Sequence, residues 1–72
     1  MTANQTYVKT EVVGSSNKSV SDAIESAIAT ASRSLRNLDW FEVADVRGRI
    51  RDNKIASYQV TLKLGLRYES KA

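Results

Sequence analysis

The apolar positions along the chain change period twice, and each change marks an element. Thr6 to Val13 is rich in β-branched and aromatic residues and predicts a strand. Gly14-Ser15-Ser16-Asn17 supplies a break after it. From there Val20, Ala23, Ile24, Ala27, Ile28, Ala31, Leu35 and Leu38 recur at helical spacing and form one stripe. Ser16, Asn17 or Ser19 can cap the start of this helix. Asp22 and Glu25 sit early and Arg33 and Arg36 sit late, which complements the helix dipole. Asn37-Leu38-Asp39 is expected to end it. The alanines in the stripe allow the helix backbone to approach closely whatever it covers.

Trp40 to Arg51 then reads as a second strand. Its alternation slips: Phe41 and Val43 share one parity, Val46 and Ile50 the other. A slip of one residue flips a strand's faces, so a bulge is expected near Ala44 and Asp45. Asp52-Asn53 suits a two-residue hairpin turn, because both residues tolerate positive φ. Ile55 to Tyr68 predicts a third strand with the clearest alternation in the chain. Tyr58, Val60, Leu62, Leu64, Leu66 and Tyr68 make its apolar face, and Ser57, Gln59, Thr61, Lys63, Gly65 and Arg67 its polar face. The two tyrosines are expected in the core. Gly65 inside the strand marks a bend or a close backbone approach.

The predicted fold is α+β, in the order β-α-β-β, with a three-stranded antiparallel sheet against one amphipathic helix. At 72 residues the chain is a single domain, residues 1–72, with 1–5 and 70–72 expected to be flexible. A chain this short buries only about 60% of the surface its unfolded form exposes. It has no cysteine and no histidine, so no disulfide, zinc staple, thiolate nucleophile or histidine base is available. Small domains without such staples gain stability by oligomerising, and pairing with further copies also covers the sheet's open edges.

Composition narrows the chemistry further. Hydrophobic residues are 42% and charged residues 26%, the balance of a globular domain. No apolar run approaches the roughly 18 residues of a membrane span, and no secretory leader is visible, so a cytoplasmic protein without membrane contact is expected. The three glycines lie far apart and form neither a Walker nor a Rossmann loop. Eight acidic residues are scattered without a catalytic cluster; Glu42 and Asp45 fall on opposite parities, a poor arrangement for a metal ion. The net charge of +3 suits an anionic ligand.

Trp40, Gln59 and the strand arginines carry candidate binding chemistry. Trp40, the lone tryptophan, opens a strand at an element boundary. It is either a core anchor or a stacking platform for a planar ring, and stacking on one aromatic is worth about 1–3 kcal/mol. Gln59 lies on the polar face of the third strand, where its amide offers an acceptor and two donors to the edge of a heteroaromatic ring. Arg47, Arg49 and Arg51 share a parity, and Arg67 ends the third strand. They can pair with carboxylates of a neighbouring subunit or with phosphate. They also support a small basic nucleic-acid-binding module, although the polar face of the third strand offers no aromatic on which bases could stack.

Three stretches closely resemble dodecins of the bacterial type: Asn37-Leu38-Asp39-Trp40-Phe41-Glu42-Val43, Val46-Arg47-Gly48, and Tyr58-Gln59-Val60-Thr61-Leu62-Lys63-Leu64-Gly65-Leu66-Arg67. The opening strand through Glu11-Val12-Val13-Gly14-Ser15-Ser16 and the helix after it fit as well, so the resemblance runs from about Tyr7 to Glu69. The resemblance implies a hollow homododecamer that binds flavin, FMN or riboflavin, without catalysis. It implies that paired flavins stack between Trp40 side chains at a twofold interface and that Gln59 bonds the polar edge of the ring. Arg47 and Arg67 are implied to lie near the interface, where they meet the FMN phosphate or a neighbouring subunit. Some members of the family bind coenzyme A, for which this sequence offers no mappable motif.

Overall fold

The computed structural model describes residues 4–69. The chain runs β1 (Tyr7–Ser16), α1 (Val20–Ala31), β2 (Leu38–Arg51) and β3 (Lys54–Arg67). The strands form one antiparallel sheet in the order β1-β3-β2, so the last strand is the central one. This is the predicted α+β, β-α-β-β architecture. Of the ends expected to be flexible, 1–3 and 70–72 lie outside the described residues.

Several boundaries differ from the sequence expectation. β1 does not stop at Val13 but continues through Gly14 to Ser16. Gly14 is there for packing: a Cβ at this position would run into the Ala23 carbonyl oxygen and come within 2.6 Å of the Ala27 Cβ. The glycine and the helix alanines together bring α1 hard against β1. The helix is also shorter than its apolar stripe. After Ala31 the hydrogen bonds tighten, with Arg33 N–H donating to Thr30 O at 3.2 Å and Ser34 N–H to Ala31 O at 3.1 Å. The Ser32 hydroxyl donates to Ala29 O at 2.8 Å, the carbonyl that Arg33 N–H would take in a continuing α-helix. Leu35 still packs on the core, but Leu38 belongs to β2. Arg33 and Arg36 therefore lie beyond the last helical turn, which holds no basic residue. At the other end Ser19 is the cap, its hydroxyl accepting from Asp22 N–H at 2.9 Å.

β2 begins two residues earlier than expected, at Leu38, after Asn37 turns the chain with φ of 61°. The expected bulge falls between Val43 and Asp45, and two further register shifts lie at Leu38/Trp40 and Arg49/Ile50. Asp52 and Asn53 close the hairpin with φ of 52° and 62°, the geometry of a primed turn.

The core consists of Ala23, Ala31, Val60, Leu62 and Leu64, with Val12, Val20, Ile24, Ile28, Leu35 and Leu66 around it. Helix α1 packs on β1 and β3. Every residue of β2 after Leu38 is exposed. Phe41, Val43 and Val46 pair with Leu64, Leu62 and Val60 on the helix-side face, yet they lie beyond the helix and remain uncovered. Tyr58 is only half-buried and Tyr68, just past the end of β3, is 58% exposed, so neither is the core residue its parity suggests. The accessible surface is 5864 Å², against about 4,450 Å² for a compact 8.0 kDa chain. The radius of gyration is 15.2 Å, against about 11 Å for a compact domain of this length. The protomer is thus extended, with an apolar flank open. Among the described residues, no helix is long and apolar enough to cross a membrane.

Candidate functional site

The β2 bulge decides which side chains share a face. Before it, Trp40 pairs with Gly65 and Glu42 with Lys63; after it, Asp45 pairs with Thr61, Arg47 with Gln59 and Arg49 with Ser57. All of these β3 residues belong to the polar parity, away from the helix. Without the bulge Trp40 and Arg47, seven residues apart, would project from opposite faces. The bulge also brings Glu42 and Asp45 onto one face, correcting the expectation that they oppose each other. Even so, no group of three potential metal ligands exists among the described residues.

At one end of this face Trp40 lies over Gly65. A Cβ on Gly65 would collide with the indole ring, so the glycine makes the bed on which the ring rests. Tyr7, opposite Arg67 on β1, meets the indole edge-on, with ring centroids 5.9 Å apart and planes at 65°. The Asp39 carboxylate beside the Tyr7 hydroxyl, with some loss of solvent, raises the phenol's pKa above its ordinary value; the Arg67 charge opposes this. Trp40 is 37% exposed. It is neither a buried core anchor nor a freely solvated side chain, but a ring held from behind with one side open. The polar sheet face therefore does carry aromatics, Trp40 and Tyr7, contributed by the two edge strands rather than by β3.

Gln59 lies elsewhere on the face. It is half-buried in the middle of the sheet, between Ser15 of β1 and Arg47 of β2. These three residues help line a groove of about 800 Å³ that also takes in Arg49, Arg51 and Ser57. Gly65 and Gln59 lie six positions apart on β3, about 20 Å along the strand. The four candidates thus fall into two groups within one chain: Trp40 with Arg67 at one end, Gln59 with Arg47 at the other. No single planar ring reaches from Trp40 to Gln59 of the same protomer.

Two contributors escaped the sequence reading. Tyr7 supports the indole, and its signal was its position as the aromatic member of a polar parity with Lys9 and Glu11. Asp39 acts through Tyr7, and nothing in its local sequence distinguishes it from a helix-ending residue.

The Dodecin family profile matches residues 6–69. The dodecin of Thermus thermophilus is 46% identical over 63 residues, 88% of this chain and 91% of that protein. Among solved structures, the dodecin from Streptomyces coelicolor superimposes with a TM-score of 0.88 at 51% identity, covering 97% of this chain and all of that one. The dodecin from Streptomyces davaonensis gives a TM-score of 0.87 at 48% identity, covering 94% and 100%.

Proposed function

The chain belongs to the dodecin family, a family of small flavin-binding proteins, and from that premise we propose that it sequesters FMN or riboflavin between paired copies of itself. The observation that carries this reading is the open Trp40 ring, bedded on Gly65 and braced by Tyr7. Such a ring is pre-set to stack on a flat heteroaromatic and loses little freedom in doing so. The bed fits the flavin ring system because Gly65 lets the indole rest against the sheet and leaves the ring's other side as an open, planar apolar surface.

One protomer supplies only part of the site. Trp40 is about 20 Å from its own Gln59, so the ring is stacked by one copy and its polar edge is bonded by another. Two antiparallel flavins between two Trp40 side chains satisfy both requirements. Gln59 then offers an acceptor and two donors to the carbonyl and N–H edge. Arg47 lies beside Gln59, and Arg67 beside Trp40, where they meet phosphate or a carboxylate of the adjoining copy. The uncovered Phe41, Val43 and Val46 flank is the surface that assembly buries, in a homododecamer by family likeness.

The flavin supplies light absorption and redox chemistry when bound. Trp40, stacked on the ring, would be the electron donor that quenches its excited state, the electron then returning to the indole. The closed stack excludes a second substrate, which makes this a storage and photoprotection protein of the cytoplasm rather than an enzyme. The test is Trp40→Ala, with flavin affinity read by fluorescence and assembly by mass. The proposal predicts lost flavin affinity in an intact oligomer. Unchanged affinity removes Trp40 from the site.

A further inference from the structure

The indole of Trp40 has one aromatic neighbour among the described residues, and that neighbour is a phenol. The Tyr7 and Trp40 rings meet edge to face with centroids 5.9 Å apart, close enough for direct contact. The other two tyrosines lie elsewhere. Tyr58 pairs with Ser16 and Gly48, seven positions from Gly65 and about 23 Å along β3. Tyr68 continues the parity of Leu64 and Leu66, which faces the helix rather than Trp40. Asp39 is the extra residue at the register shift between Leu38 and Trp40. Its carboxylate stands beside the Tyr7 hydroxyl, and Arg67, opposite Tyr7 on β3, is the other charge that faces it. Tyr7 is 39% exposed, so its phenol also meets solvent.

We infer that Tyr7 is the electron reserve of Trp40: it refills the indole after one-electron oxidation, while its phenolic proton passes to the Asp39 carboxylate. A phenol that sheds its proton as it is oxidised gives up an electron more readily at neutral pH than an indole does. Asp39 is placed to take that proton, and Arg67 disfavours a cationic phenol. The step converts an indole radical cation, a phenol and a carboxylate into a neutral indole, a phenoxyl radical and a carboxylic acid. It conserves charge and needs no further reactant. The physiological role rests on the flavin reading, whereas the transfer itself does not. Quenching leaves the indole one electron short, and an electron that passes to dioxygen as superoxide does not return. Tyr7 then restores Trp40 and carries the radical to an exposed site. There a soluble thiol gives the phenoxyl radical a hydrogen atom, becoming a thiyl radical, and Asp39 releases its proton to water.

The test oxidises ligand-free, assembled protein by pulse radiolysis with azidyl radical, which attacks indoles in preference to phenols. The sequence suits it, with a single tryptophan and no cysteine or histidine. The indole radical absorbance is expected to decay into a phenoxyl signal at a rate independent of protein concentration. Tyr7→Phe keeps a ring against the indole and is expected to abolish the conversion. Tyr58→Phe and Tyr68→Phe are expected to leave it unchanged, and Asp39→Asn to slow it several-fold. Should Tyr7→Phe not assemble, spin trapping and peptide mass mapping of the unaltered protein are expected to mark Tyr7. Conversion that survives Tyr7→Phe, or a trapped radical on Tyr58 or Tyr68, overturns the inference. In FMN-loaded protein under light and air, Tyr7→Phe is expected to lose Trp40 to oxidation faster than the unaltered chain, read by intact mass. Equal loss overturns the protective role. Failure of FMN to bind overturns the flavin reading and, with it, that role, and leaves the ligand-free transfer to be judged by radiolysis.

Discussion

Replacing Gly65 with alanine perturbs the proposed platform without removing any of its atoms. The new Cβ would overlap the Trp40 ring at Cδ2, Cε2 and Cζ2. The backbone of β3 is held by ladders on both sides, so the indole is what moves. Overpacking costs typically about 1–3 kcal/mol, and relief of glycine's conformational freedom in a strand returns about 0.5–1 kcal/mol. Trp40 has open space in front of it, which favours the low end, so a net loss of about 0–2 kcal/mol is expected. Stacking is affected more, because a displaced ring forfeits a contact of about 1–3 kcal/mol. That is roughly 5- to 150-fold in flavin affinity. Gly14→Ala is the control. Its Cβ meets the Ala23 carbonyl, a backbone atom that cannot swing aside, and Ala27. This variant is expected to lose about 3 kcal/mol of stability with flavin affinity per folded site unchanged. Urea midpoints at one fixed protomer concentration and flavin titrations separate the two effects. A Gly65→Ala protein with full flavin affinity refutes the bedded-ring argument.

Other perturbations probe the remaining contacts. Gln59→Ala is expected to weaken FMN and riboflavin alike by about 1–3 kcal/mol, because the ring's polar edge loses its partner; a loss confined to FMN in titration contradicts this. Ser19→Ala removes the acceptor for Asp22 N–H and is expected to cost about 1 kcal/mol in urea unfolding. Asn53→Gly places a residue without a Cβ at φ of 62°, and an unchanged or raised midpoint is expected, whereas Asn53→Val is expected to lower it. The Tyr7 phenol titrates above its ordinary 10.0 because the Asp39 carboxylate beside it favours the neutral hydroxyl. Its contribution to stability is therefore full below that pH and lost as pH rises through the raised value. Tyrosinate absorbance, with Tyr7→Phe as the difference, is expected to show a midpoint above 10.0 that falls in Asp39→Asn.

The parts of the fold legible in the sequence were those where one face is buried. The alternation from Tyr58 to Leu66 placed β3 because Val60, Leu62 and Leu64 face the helix. The parity slip between Val43 and Val46 marked the bulge because a strand cannot change faces otherwise. Gly14 misled because a glycine that admits a helix looks, in sequence, like one that ends a strand. The helix end misled because Leu35 keeps helical spacing through tightened turns, so the stripe outlasts the helix. Tyr68 misled because parity does not show where the helix stops covering the strand. For the site, residue types were readable but their separation was not. Trp40 and Gln59 sit about 20 Å apart in one chain, a distance set by the sheet register, which makes the proposed site a property of the proposed assembly.

The central claim is that copies of this chain enclose flavin against Trp40, and a titration of ligand-free protein into dilute FMN tests it most directly. Flavin fluorescence is predicted to fall steeply and to reach its floor near one flavin per protomer. Fluorescence that stays constant up to tens of micromolar protein contradicts the account.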